Sequence, residues 1–344
     1  MIISFTQKLL VKEFVEIVSE TNGISLVDTL DLMLSSSLKS KNAEAYTWVA
    51  EYRELLNQFM VNKIDLQTLK KHPFNLVLEE FFKRFPLKYR EEHIHLSGSL
   101  TAEFIWSKLE PILNGTNRAI YEKKIKTVYG ENAWPITSAK DVDQLIRLKD
   151  DEGFTTYLRI MYLASLIFIS KDAHTDAAYH MATELYHKYN IGSVRLKFMM
   201  NRATSKADDK VPGLDQITSE DVVMGLFEGF KKFQSEHKNF QFTLSPSFRK
   251  ETSYFDEAKF ATRKEHFMYQ IDEILAMIDK YPELSNHLNE VDTVGDEKEM
   301  YRKEHFSELQ HGFRKLQYRG FKIKSHHGET WHTLKRGIQA VDNA

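Results

Sequence analysis

The chain has 344 residues, 42% hydrophobic and 12% aromatic, with 47 basic and 49 acidic side chains and a formal net charge of -2. That is enough apolar material to pack one large domain or two small ones, and it excludes a disordered chain. The balanced charge gives no general attraction to nucleic acid. The absence of cysteine excludes disulfides, thiolate metal ligands and cysteine nucleophiles together.

No apolar run approaches the length of a membrane span. The first twenty residues, MIISFTQKLLVKEFVEIVSE, break their apolar positions with Lys8, Lys12 and Glu13. They read as an amphipathic helix rather than a signal peptide, so a soluble cytoplasmic protein is expected. Residues 1–88 continue as helix after helix. VDTLDLMLSSSL, AEAYTWVAEYRELLNQFM and FNLVLEEFFKRF each repeat apolar residues at three- and four-residue spacing, punctuated by Pro73 and Pro86. This is an N-terminal helical extension. Residues 89–344 form the second expected domain.

From residue 89 the pattern changes. Short apolar or alternating runs at Glu92–Leu96, Ser193–Met199, Phe240–Ser245, Asn289–Val294 and Phe321–Ser325 predict five strands. Long helical stretches such as DVVMGLFEGFKKFQSEH and KEHFMYQIDEILAMIDKY separate them. Strands alternating with helices imply parallel β/α units. The first connection, about residues 100–192, holds several helices and is a large insertion after strand one. A doubly wound sheet would satisfy the same alternation, but no glycine-rich phosphate loop follows the first strand. The pattern favours an α/β fold of the (β/α)8 barrel type.

Polar residues gather in and just after these strands: His93 and His95, then Arg195 and Lys197, then Ser245, then Asp292, Gly295, Asp296 and Glu297, and last His326 and Glu329. In a (β/α)8 barrel the chemistry sits at the carboxyl ends of the strands. Alternate strand residues face one side, so His93 and His95 project together, about 7 Å apart along the strand, and can converge on one cation. Neutral imidazole suits zinc and similar transition metals. A catalytic zinc centre needs three protein ligands and an open position, and His326 is the candidate third. Glu329 follows it by three residues and could move protons beside the metal. A half-exposed surface pair remains the other reading of His-x-His on a strand.

The segment HIHLSGSL resembles the His-x-His-x-x-Gly signature of the adenosine deaminase family. KIKSHHGET is similar to that family's His-Ala-Gly-Glu segment, with His327 in the alanine position, and VDTVGDE resembles its Asp-Leu-Ala-Gly-Asp-Glu segment. The resemblance covers residues 88–344 and implies a zinc ion, or another divalent transition metal, held by His93, His95 and His326. It also implies Glu329 as the acid that protonates purine N1, and substrate contacts from His95, Ser97, Gly295 and Asp296. The implied reaction is hydrolytic deamination of adenosine or a related 6-aminopurine nucleoside or nucleotide, releasing ammonia.

Two departures shape the expectation. Ser97 stands where the family has an aspartate that contacts the ribose 5′-hydroxyl, which favours a 5′-modified or phosphorylated substrate, since a carboxylate there would repel phosphate. The family also carries three further strands, with a histidine after the sixth and an Asp-Asp pair after the eighth that supplies a fourth ligand. A continuation beyond residue 344 is therefore expected, and these 344 residues alone are expected not to deaminate. Homo-oligomerisation, or association with that further segment, would cover the open sheet edges. No membrane or nucleic-acid partner is expected. The alternative function is a catalytically inactive or defence-associated homologue acting as a binding or assembly module.

Overall fold

The computed structural model describes residues 4–21, 24–149, 152–200, 211–213, 216–251, 254–295, 297, 303–329 and 333–343. They divide into two units, Met1–Lys88 with His187–Asn190, and Tyr89–Tyr186 with Ile191–Ala344.

The first unit is helical: α1 (Phe5–Glu20), α2 (Leu26–Ser35), α3 (Leu38–Lys41), α4 (Ala43–Met60), α5 (Leu66–Lys70) and α6 (Phe74–Arg84). The start of α1 is fixed by a reciprocal cap. Ser4 Oγ accepts the Gln7 N–H at 3.1 Å, and Gln7 Oε1 accepts the Ser4 N–H at 2.8 Å, which satisfies two donors the helix cannot. The apolar stripes then bury a shared core of Leu10, Phe14, Leu30, Val49, Phe74 and Phe81. Phe14 meets Phe81 edge-on at 4.9 Å between ring centroids, the preferred aromatic geometry.

The second unit contains a parallel sheet of five strands among the described residues, in the order β1-β2-β3-β4-β5. They are β1 (Tyr89–His95), β2 (Ile191–Phe198), β3 (Gln241–Arg249), β4 (Glu290–Val294) and β5 (Lys322–Ile323). The order never reverses. Parallel crossovers are right-handed as a rule and then keep successive helices on one face, so the unreversed order is consistent with part of a barrel wall, whereas a doubly wound sheet reverses its order. Among the described residues the sheet is open: β1 and β5 each pair on one side only.

The insertion after β1 consists of α7 (Ala102–Leu113), α8 (Arg118–Tyr129), α9 (Ala139–Ile146), α10 (Phe154–Ser165) and α11 (Lys171–Lys188). Helices α12 (Ser219–Glu236), α13 (Arg263–Lys280), α14 (Lys303–Tyr318) and α15 (Leu334–Asn343) follow the later strands. No helix among the described residues is long and apolar enough to cross a membrane.

Strand alternation sorts the sheet's two faces. On β2, Val194, Leu196 and Phe198 are buried in the helix-covered core. Phe242 of β3 stacks on Phe230 of α12 at 4.9 Å. Arg195 and Lys197 point the other way, into a polar network. Each apolar side chain fully buried in such a core contributes about 1.5–3 kcal/mol relative to exposure.

Strand bounds differ from the sequence reading in informative ways. β1 begins at Tyr89 rather than Glu92, and Leu96 opens a short 3-10 turn, Leu96–Gly98. β3 does not end at Ser245 but runs through Pro246 to Arg249. β5 is regular only at Lys322 and Ile323, yet its ladder continues through Lys324 N–H to Val291 O at 2.8 Å and His326 N–H to Thr293 O at 3.0 Å. Those bonds fix where His326 sits.

Candidate metal centre

His93 and His95 share a face of β1, as alternation requires. Between Glu91 and Ile94, β1 advances three residues while β2 advances two, from Val194 to Leu196. The extra residue is a β-bulge, a device that re-aims side chains, and His93 lies inside it. Its backbone N–H donates to Glu91 Oε1 at 2.9 Å. His95 resumes the register opposite Lys197.

The extended β5 ladder brings His326 to the same place from 231 residues away. His93 Nε2 lies 3.1 Å from His95 Nε2, and His95 Nε2 lies 3.2 Å from His326 Nε2. One nitrogen from each ring falls within 4.8 Å of the other two. Two ligand nitrogens about 2.05 Å from a tetrahedral zinc stand about 3.3 Å apart, so the three rings fit a transition-metal ion.

Two of the rings, His93 and His95, are shifted toward the neutral form. Burial pushes the His95 imidazole down to about 4, helped by the neighbouring rings of His326 and His93. Burial and then His326 likewise lower His93, against the opposing carboxylates of Asp292 and Glu329. Neutral imidazoles at ordinary pH offer lone pairs to a metal.

Behind His326 stands Asp292, 1% exposed on β4. His326 Nδ1 lies 3.0 Å from Asp292 Oδ2, an ion-pair contact, and neither atom makes a hydrogen bond of good geometry among the described residues. A carboxylate on Nδ1 leaves Nε2 for a metal. Asp292 Oδ2 is also 3.5 Å from Lys197 Nζ. Lys197, 2% exposed, donates to Ser245 Oγ at 3.0 Å and to Glu290 Oε1 at 2.9 Å, while Arg195 pairs with both Glu92 and Glu290.

The other sequence candidates are placed as follows. Glu329 is exposed in the turn after Gly328, and its charge is felt at His93. Gly328 has φ +83°, in the left-handed region that favours glycine. Ser97 lies in the 3-10 turn after β1 and lines, with His95, His174, Lys197 and Ser247, a cavity of about 70 Å³. Gly295 has φ +107°, and a Cβ there would lie 2.6 Å from Glu251 Cδ, so the Glu251 carboxylate already occupies the space against this glycine. Asp296 lies outside the described residues. A larger cavity of about 340 Å³ opens at the amino ends of the strands, beside Arg90, Ser193 and Gln241. Its lining includes His287 but none of His93, His95 and His326, of which His95 lines the small cavity. That cavity is well below the roughly 300–1,000 Å³ usual for an organic ligand.

Sequence reasoning grouped Asp292 with the strand-four polar cluster but gave it no role, and it left Lys197, Lys250 and Glu297 without roles. Glu290 and Asp292 alternate within a short run otherwise rich in β-branched residues. Two acids on one face of a buried strand are the signal that marks them.

No family model matches the chain, and no curated protein matches it. Among solved structures it is similar to Arabidopsis ADAL complexed with IMP, with a TM-score of 0.48 and 15% identity over 77% of this chain and 64% of that one. An ADAL–IMP complex gives 0.48 and 16% over the same shares. Adenine deaminase from Arthrobacter aurescens gives 0.48 and 12%, over 74% of this chain and 62% of that one. The chain spans less than two thirds of the length of each of these structures.

Proposed function

We propose that the protein is a metal-dependent hydrolase of the adenosine deaminase type, acting in the cytoplasm, with β1–β5 as consecutive staves of a (β/α)8 barrel wall. The substrate is a 6-aminopurine nucleoside or, given Ser97, a 5′-phosphorylated one. Water replaces the exocyclic amine, giving the 6-oxo purine and ammonia. The observation that carries this reading is the convergence of His93, His95 and His326, with the buried Asp292 on the far nitrogen of His326.

His93, His95 and His326 would hold zinc or a similar divalent ion, and the chemistry such an ion supplies is activation of water near neutral pH. Glu329 would donate a proton to purine N1, making C6 the better electrophile, and its position after a left-handed glycine lets it turn back toward the histidines. The Ser97 hydroxyl would hydrogen-bond the 5′ substituent without the repulsion that a carboxylate would bring to a phosphate. Gly295 and Asp296 would contact the base, which requires the Glu251 carboxylate to yield its place over Gly295.

The test has two parts. The purified chain should bind one zinc or cobalt ion, and His93→Ala or His326→Ala should abolish binding. In the full-length natural protein, ammonia should be released from adenosine or AMP, and Glu329→Gln should keep the metal while losing most of the rate, since general acid–base assistance contributes roughly 10²–10⁴-fold. No metal binding overturns the centre. Metal binding without ammonia release from either substrate would instead favour a binding or assembly module.

A further inference from the structure

Lys250 and Glu297 form an ion pair in which both residues are fully buried, 0% exposed. Lys250 directly follows β3, and its backbone N–H donates to Val294 O at 2.8 Å, tying it to the end of β4. Its ammonium donates to Glu297 Oε1 at 2.9 Å and also to the backbone carbonyl of His326. The other oxygen of Glu297, Oε2, accepts the Gly328 N–H at 3.0 Å. The Lys250 carbonyl in turn accepts from the Arg263 guanidinium. The pair therefore grips the His326–Gly328 segment twice, once on the carbonyl of the third histidine and once on the amide just before Glu329.

Burying two opposite charges in a protein interior is costly, and well-packed apolar residues of similar volume often serve stability as well or better. A pair kept in such a place therefore calls for a use beyond stability. Here the pair's hydrogen bonds to His326 and Gly328 both go to one short loop. Three fixed points on that loop (the His326 N–H on Thr293 O, the His326 carbonyl on Lys250 and the Gly328 N–H on Glu297) leave little freedom for the side chain between them or for the carboxylate that follows.

We propose that Lys250 and Glu297 are positioning residues, a buried clamp that sets the His326 imidazole and the Glu329 carboxylate relative to each other. The proposal rests on the reading of His93, His95 and His326 as a metal centre and of Glu329 as its acid. Neither clamp residue touches the metal or the substrate; both act through the backbone of residues 326–328. The clamp belongs to the same class as the outer hydrogen-bond partners that orient metal ligands, whose loss typically weakens metal affinity or activity about 10- to 100-fold.

The test uses cobalt as the probe, because its visible absorption reports ligand geometry. Wild type, Glu297→Gln, Lys250→Met and Lys250→Arg are compared for cobalt affinity and spectrum in the purified chain, and for kcat and KM in the full-length protein. Folded Glu297→Gln and Lys250→Met should bind cobalt about 10- to 100-fold more weakly, with a changed spectrum, and should lose kcat more than KM. Lys250→Arg, which keeps the charge and the donors, should recover part of both. Should Lys250→Met not fold because it strands Glu297, the double variant Lys250→Met/Glu297→Leu removes both charges together and is read the same way. Folded variants with wild-type cobalt affinity, spectrum and kcat would overturn the clamp while leaving the metal centre standing. Failure of both Glu297→Gln and the double variant to fold would also overturn it, assigning the pair to stability alone. Failure of wild type to bind cobalt would overturn the metal centre itself.

Discussion

The Nδ1 of His326 lies 3.0 Å from Oδ2 of Asp292, and both residues are largely buried. Burial alone would push the Asp292 carboxyl up. The His326 ring, the Lys197 ammonium and the Thr293 N–H together outweigh it and hold the group below its ordinary range. The aspartate is therefore an anion aimed at the nitrogen that does not face the other histidines. Asp292→Asn should weaken zinc or cobalt affinity by about 10- to 100-fold while the chain still folds. Titration of the apo-protein with either ion measures it, and an unchanged dissociation constant would remove Asp292 from the site.

A second prediction concerns Glu290, which is 0% exposed and pairs with both Arg195 and Lys197. Glu290→Gln leaves the buried Lys197 ammonium with Asp292 at 3.5 Å as its charged partner among the described residues, beside the neutral Ser245 hydroxyl at 3.0 Å and the glutamine amide oxygen. Removing one partner of a buried ion pair costs about 3–5 kcal/mol. Urea unfolding should show a loss of that order. A change below about 1 kcal/mol would mean that water or other groups already serve Lys197.

Sequence patterning reached the β/α alternation, the histidine pair and the third histidine, because each rests on a local rule: alternate residues on a strand share a face, and polar residues collect at strand ends. It stopped β3 at Ser245, and the next residue, Pro246, has no N–H for a ladder. The strand runs through it regardless, with Pro246 placed opposite Phe198. The bulge that carries His93 was not legible, since it exists only as a mismatch of register between β1 and β2. Nor were the partners of the charged residues. Lys250 and Glu297 are 47 residues apart, and Lys197 and Glu290 are 93 apart. Pairing at that range is set by strand order, which a linear reading supplies only after the fold is known.

Glycine at Gly229 inverts a common rule. In most helix interiors, replacing glycine by alanine stabilises a protein by roughly 0.5–1 kcal/mol. Here α12 packs against α11 so closely that a Cβ at Gly229 would lie 2.8 Å from the Ala178 Cβ and closer still to the Thr175 carbonyl. Gly225, one turn earlier, would meet the Lys171 carbonyl at 2.6 Å. Backbone cannot move aside as the tip of a side chain can. Gly229→Ala should therefore destabilise by about 1–3 kcal/mol, the usual cost of overpacking, read as a lower denaturant midpoint. An equal or higher midpoint would show that the two helices separate at little cost.

The last prediction is the share of a pH dependence of stability that arises at His266 on α13, beside the same-direction contribution of the lowered His93 and His95 rings. The His266 ring is 4% exposed and stacked on Phe260 at 4.7 Å between centroids. Its Nδ1 accepts the Asp256 N–H at 3.4 Å, and its Nε2 has no hydrogen-bond partner among the described residues. Protonation would turn the accepting nitrogen into a donor facing another donor. Burial accordingly lowers the pKa of His266, with Lys259 adding to the effect and the Asp256 carboxylate opposing it. His287, whose Nδ1 contacts Phe242 O at 3.0 Å, is also lowered by burial. For a histidine with a depressed folded-state pKa, both states are neutral above the unfolded value of about 6.5, and pH has no effect there. Below that value the unfolded chain binds the proton and the folded one does not, so stability falls with falling pH. The midpoint of thermal unfolding should be flat above about pH 7 and decline toward about pH 5.5. In His266→Phe, which keeps the stacked ring and removes the titrating nitrogens, the decline should be shallower. An identical decline in that variant would assign the acid sensitivity to other groups and show that His266 takes up its proton without loss of the fold.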